Sequence, residues 1–190
     1  MSWKVRRVPV SLDSKGIRSL SSADIALILR GADELIGTGG RNLLSKVLKG
    51  SREKKVLELG LDESPAFGAM RALSLDDVKA RVDWVILNGY LRIEYDGHLP
   101  VLVYTDRGWE IERETFAAEQ LARLDAQIAS GELENGVEWL NEINPQVVHL
   151  ILHQIEASGD PKYVSALKLC AACASHKIRG RINGVLRALL

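Results

Sequence analysis

The stretch from Val47 to Lys55, VLKGSREKK, holds the side chains best suited to chemistry in this sequence. An apolar pair gives way to Lys49, Gly50 and Ser51, and then to Arg52, Lys54 and Lys55. Two kinds of chemistry use such a pattern. A helix C-terminus takes Gly as its cap and cations to complement the macrodipole. An anion site takes backbone N–H groups, a hydroxyl and cations to hold a phosphate. On the residues alone, both remain open.

Other candidates carry less. GTGGRNLLS, from Gly37, is Gly-rich and precedes a helical pattern, but it lacks the Gly-Lys-Ser/Thr ending of a phosphate-binding P-loop. It also follows a helix rather than a strand. Cys170, Cys173 and His176 have metal-like spacing. A structural zinc needs a fourth ligand, and small residues around the cysteines fit a packed helix face instead. His149 and His153 lie one turn apart, but no Glu follows the first His as in a zincin, and apolar residues surround the pair. No nucleophile–base arrangement stands out. The expectation is no catalytic residue, no metal and no cofactor.

The elements that must position the basic cluster follow from composition and periodicity. The chain has 190 residues, 46% hydrophobic and 26% charged, a globular balance. Two late cysteines make no secreted disulfide framework, and no apolar run suggests a membrane span or a signal peptide. A cytoplasmic protein is expected. Zero net charge hides strong local bias. Basic residues dominate up to Lys55, nine acids face only Arg113 and Arg123 between Glu110 and Glu142, and Lys177, Arg179, Arg181 and Arg187 make the end basic.

WKVRRVPV, from Trp3, reads as a short strand. Ser21, with Asp24 three residues on, opens a helix that GTGGR ends. Asn42 to Lys49 forms a second helix with Leu43, Leu44, Val47 and Leu48 on one face. A third begins after Gly50-Ser51 and reaches Gly60, and LDESPAFGAMRAL is a loop. Ser74 caps SLDDVKARVDWVILNG, with Gly89 as its stop. YLRIEY and VLVY alternate around DGHLP as a hairpin. Helices followed by a hairpin are the order of a winged helix. From Thr115 the pattern is helical throughout, with stops at Gly131 and Gly159 and Pro145 in a first turn. The fold class expected is mainly α: a winged helix with a two-stranded β-wing, then an α-helical, solenoid-like C-terminal bundle. The divisions expected are an extension over 1–21, the winged helix over 22–114, a connecting helix over 115–131 and a helical domain over 132–190.

On LLSKVLKGSREKKVLELGLDESPAFG, then SLDDVKARVDWVILNGYLRIEYDG and LVYTDRG, the chain resembles the RQC domain, the winged helix near the C-terminus of RecQ-family DNA helicases. The likeness runs from about Ser22 to Ile111. The helicase motor and the Cys-rich zinc subdomain have no counterpart here, nor has the helical tail a counterpart there. The resemblance is thus to a stand-alone protein of the RQC-minor kind. It implies that Lys49, Gly50 and Ser51 grip a phosphate, with Arg52, Lys54 and Lys55 adding sequence-independent attraction. It also implies that the helix before the wing stays out of the major groove. That agrees with the residues: if Val78, Val82, Val85 and Ile86 face the core, Asp76, Lys79, Asp83 and Asn88 face outward, and the aspartates repel phosphates. In some RQC domains the wing separates strands, so Tyr95 or His98 could stack on a terminal base pair. The bland alternative puts Tyr95 in the domain core.

The full DNA-binding set expected is Arg41, Lys46, Lys49, Gly50, Ser51, Arg52, Lys54, Lys55, Arg71, Lys79, Tyr95 and His98. The function expected is non-enzymatic binding of duplex ends, forks or junctions. RNA binding by the winged helix is one alternative, and a protein-interaction adaptor that uses the winged helix and the helical tail is another. The tail core is expected at Val147, Leu150, Ile151, Ile155, Leu167, Cys170, Ile182 and Leu186, with Arg179, Arg181 and Arg187 near the surface.

Overall fold

Ser21 and Ser74 start their helices for the same reason. Each side-chain oxygen accepts the N–H three residues on, from Asp24 at 3.0 Å and from Asp77 at 3.1 Å. This satisfies one of the donors left open at a helix start. The computed structural model describes residues 7–133 and 138–190. The order is α1 (Ser22–Ala32), α2 (Arg41–Lys49), α3 (Lys54–Glu58), α4 (Leu75–Leu87), β1 (Leu91–Asp96), β2 (Leu99–Tyr104), α5 (Asp106–Ser130), α6 (Pro145–Ser158), α7 (Val164–Cys173) and α8 (His176–Leu189). The protein is mainly helical, with the antiparallel hairpin of a winged helix after α4 and further helices toward the C-terminus. No described helix is long and apolar enough to cross a membrane.

Contacts divide the chain into two compact units, between Glu112 and Arg113. In the first, Ile28, Leu29, Leu44, Val47, Leu48, Val78, Val82 and Val85 are fully buried, so α1, α2 and α4 each give one apolar stripe to a common core. Leu91 and Leu102 add the inner face of the wing. Helix α1 stops at Ala32, ahead of GTGGR, and a 3-10 turn over Asp33–Leu35 leads to that segment, which lies beside the wing. Gly37 N–H donates to the Leu102 carbonyl and Leu102 N–H to the Gly39 carbonyl, both at 2.8 Å, so this segment lies along the outer edge of β2. A Cβ on Gly40 would stand 2.8 Å from the Pro100 carbonyl oxygen, which explains glycine there as close approach rather than phosphate binding. The wing's turn is tighter than the expected DGHLP loop: Asp96 pairs with Leu99 across Gly97 and His98 alone, and Pro100 lies inside β2. Helix α5 begins at Asp106, earlier than expected. Thr105 Oγ1 accepts the Gly108 N–H at 3.1 Å, and Gly108 leaves room for the Tyr90 carbonyl.

In the second unit, Val147, Ile151, Ile155, Leu167, Cys170 and Ile182 are buried and bring α6, α7 and α8 together. Leu150 and Leu186, expected with them, are half-buried. Asn144 caps α6 through the Gln146 N–H at 2.8 Å, Pro145 takes its first turn and Gly159 ends it in the left-handed region. Tyr163 hydroxyl donates to Asp125 at 2.7 Å, and Trp139 Nε1 to Gln127 at 3.1 Å, tying both to the later part of α5.

Two expectations are corrected near the N-terminus. Residues 7–10 form no strand, and the rest of WKVRRVPV lies outside the described residues. Instead, the segment from Arg7 to Ile17 straps the first unit. Val8 N–H donates to the His98 carbonyl at 3.0 Å, Tyr95 hydroxyl donates to the Val8 carbonyl at 3.0 Å, and the Arg7 guanidinium lies 4.8 Å over the Tyr95 ring. Tyr95 is therefore half-covered by the strap and is not part of the core. Asp83 does not face outward: it is 2% exposed, and its Oδ2 accepts the Asp13 N–H at 2.8 Å and Arg41 Nη1 at 3.1 Å. A helical period places a residue on a face, but it carries no information on a distant segment that covers that face.

Burial raises the Asp83 carboxyl above its ordinary range, outweighing the Asp13 N–H and the Arg41 charge. The native state thus holds the proton more readily than the unfolded chain, so this group's contribution to stability is greatest in acid and declines as pH rises through the native value. The stability of the wild type relative to D83N should therefore increase as pH is lowered, as read from urea midpoints of the two proteins across acidic pH. Gly50 sits at φ +78 with Gly68 Cα 2.9 Å from where a Cβ would be, whereas Gly60 at φ +65 faces open space. We expect G60A to cost about 1 kcal/mol from left-handed backbone alone. G50A should cost about 3 kcal/mol or more, because two backbones must also part. Denaturant unfolding of both variants checks the difference.

Candidate nucleic-acid interface

Gly50 ends α2 as a two-bond cap. Its own N–H donates to Val47 O at 2.9 Å and the Ser51 N–H to Lys46 O at 2.9 Å. Both N–H groups are therefore engaged within the fold. The capping chemistry holds at these two residues. The Gly50 backbone packs against Gly68, so what the cap leaves to solvent is side-chain chemistry.

The loop from Ala66 to Leu73 packs against this end of α2. Gly68 N–H donates to Val47 O at 2.9 Å and Met70 N–H to Leu48 O at 2.8 Å. Lys49 Nζ bridges to the carbonyls of Arg71 and Leu73, each at 2.6 Å. Arg71 Nε in turn donates to Gly68 O at 3.0 Å. Lys49, Gly50, Ser51 and Arg71 are thus assembled at one corner, with the Lys49 ammonium committed to the loop.

The remaining cations differ in how far neighbours neutralise them. Lys46 pairs with Glu53 at 2.6 Å, and Lys79 lies 3.9 Å from Asp76. Lys54 pairs with Glu58 at 3.4 Å, but both are largely exposed, so the pair is weak and easily exchanged. Arg52 and Lys55 are exposed and make no ion pair among the described residues. Arg41 is bound to Ser11 O and Asp83, so it fastens the strap. It nevertheless lines a cleft of about 300 Å³ together with Lys55, Asn42, the strap and residues 100–102 of the wing. Asn42 is absent from the expected set, since one polar residue at a helix start carries no signal of what it will line.

Tyr95 and His98 stand apart in role. Tyr95 is tied to the strap, whereas the His98 side chain is exposed at the wing's turn. Helix α4 offers little for base reading. Asp77 pairs with Lys15 at 3.4 Å, and the Ser74 hydroxyl, donating to it, holds its carboxyl below the usual range. Asp83 lies under the strap, so α4 is fastened to the protein's own chain at both positions.

The metal readings find no support in the geometry. No group of three potential ligands occurs among the described residues. Cys170 is buried and its thiol is pushed up to about 12 by burial, the opposite of a reactive or ligating thiolate.

With this geometry established, comparison with known proteins gives a consistent result. The pattern that defines the RQC domain matches residues 22–123. An ATP-dependent DNA helicase RecQ of Bacillus subtilis is 27% identical over 96 residues, covering 50% of this chain and 16% of that protein. This chain therefore spans a small part of that relative's length. No solved structure gave a significant match. The matched range takes in α1 to β2 and most of α5, and Thr105 and Gly108 within it do structural work at the start of α5. The chain belongs to the RQC domain family.

Proposed function

We propose that the protein binds duplex DNA without catalysing a reaction, gripping the phosphate backbone at the corner between α2 and α3. The observation that carries this reading is the pairing state of the cations there. Arg52 and Lys55 are exposed without an acidic partner among the described residues, beside the half-buried Lys49 and Ser51. Exposed cations that displace counterions from phosphates give affinity without sequence information. Helix α4 supports the same conclusion from the other side, because its Asp77 and Asp83 are fastened to the strap and Asp76 is exposed. Base reading from α4 is disfavoured, and shape or end recognition is favoured.

The name of the similar Bacillus subtilis protein supports DNA as the nucleic acid. Duplex ends, forks or junctions fit an exposed wing turn beside the strap, with His98 available for stacking. We assign this binding to residues 22–114, with 115–131 as a connecting helix and 132–190 as a separate helical domain.

Charge neutralisation tests the assignment. R52Q/K54Q/K55Q should weaken binding to unrelated duplex sequences equally, by about tenfold or more at low salt. The slope of log affinity against log salt should fall by about two to three. Lys49 is left intact because its ammonium holds the Ala66–Leu73 loop. Unchanged affinity in the folded triple variant would remove this corner from the interface. The same preparation should hydrolyse no ATP with or without DNA, and a DNA-stimulated phosphate release by the pure protein would contradict the non-enzymatic reading.

A further inference from the structure

We propose that the exposed face of α8 is a second surface for the phosphate backbone of duplex DNA. This rests on the reading of the protein as DNA-binding, but on different residues.

Asp160 is the last acidic side chain; from Pro161 to Leu190 there are six Lys and Arg residues and no Asp or Glu. Three of the six serve the fold. Lys162 pairs with Asp125 at 3.1 Å, and Arg181 pairs with Glu156, whose carboxyl it holds below the usual range. Arg179 donates to the carbonyls of Ala171 and Ala174, each at 2.8 Å, and so closes the end of α7. The other three, Lys168, Lys177 and Arg187, are exposed and make no ion pair among the described residues. Two of these are on α8. Like charges without a local counterion raise the energy of the folded protein slightly and attract a polyanion strongly.

The face itself is well defined. Ile178, Ile182 and Val185 are buried, which turns His176, Gly180, Asn183 and Arg187 outward at helical spacing. Glycine weakens a helix interior, so a glycine there needs a reason. Packing supplies none: a Cβ on Gly180 would meet nothing within 4 Å, and one on Gly184 only the tip of Arg181 at 4.0 Å. A ligand lying close along the helix would supply the reason, since bare backbone lets it reach both the cations and the Asn183 amide. Cations with an amide donor between them suit phosphate and sugar oxygens. A second grip on the same chain would raise total affinity by making its engagement intramolecular.

The test uses the full chain and a short blunt duplex. K177Q/R187Q spares the structural arginines and should lower affinity about three- to tenfold at low salt, with the salt slope reduced by about one to two. G180A/G184A should also lose affinity although its helix is intrinsically stronger, a combination that a purely structural role would not produce. Circular dichroism confirms folding of both. If K177Q/R187Q loses affinity while R52Q/K54Q/K55Q keeps it, the α8 surface stands and the α2–α3 corner fails. If K177Q/R187Q retains wild-type affinity and slope, the proposal is overturned, and the face is left for an acidic protein partner.

Discussion

The end of α2 is the constraint on which the first unit depends. A helix leaves its last carbonyls without intrahelical donors, and burying them unpaired would cost as much as several core contacts contribute. Here three of the four find a partner from the chain that follows. Lys46 O accepts from Ser51, Val47 O from Gly50 and Gly68, and Leu48 O from Met70. Those bonds force the Ala66–Leu73 loop against the helix end, and the close pass of Gly50 and Gly68 is their geometric result. Once the loop is there, Lys49 becomes part of the same closure through the Arg71 and Leu73 carbonyls. The basic corner is therefore rigid for reasons unrelated to any ligand. Its exposed cations are presented by a structure that would exist without them.

The same logic of closing open backbone groups runs through the wing. Thr105 receives the Gly108 N–H and donates to the carbonyls of Gly89 and Tyr90, so the return from β2 into α5 is locked to the start of β1. Gly37 and Gly39 exchange bonds with Leu102 and protect one edge of the hairpin. The glycines of this family resemblance thus act mainly where two backbones must approach. The packing alone accounts for glycine at these positions.

Much of this was legible in the sequence. Ser21, Ser74 and Pro145 announce helix starts from local sequence, and the hairpin shows in alternation. The Gly50 cap belongs to the same local class. What escaped are contacts between distant residues. Asp83 lies on the helical face that the period assigns to solvent, and it is covered by residues distant in sequence, Asp13 at seventy positions and Arg41 at 42. Lys49 reads as an available cation until the Leu73 carbonyl, 24 positions on, accepts a hydrogen bond from it. The candidate site was legible as a cluster of charges. Which charges are committed was not, because pairing is a property of tertiary neighbours.

The strap alters what counts as the transferable module. The family pattern begins at residue 22, yet Asp83 of α4 and Tyr95 of the wing both complete their hydrogen bonding with residues before that point. A winged helix excised at the family boundary would lose the Asp13 N–H from Asp83 and the Val8 carbonyl from Tyr95. In this protein, then, the boundary set by recurrence among relatives and the boundary set by physical closure differ. Portability belongs to the longer piece.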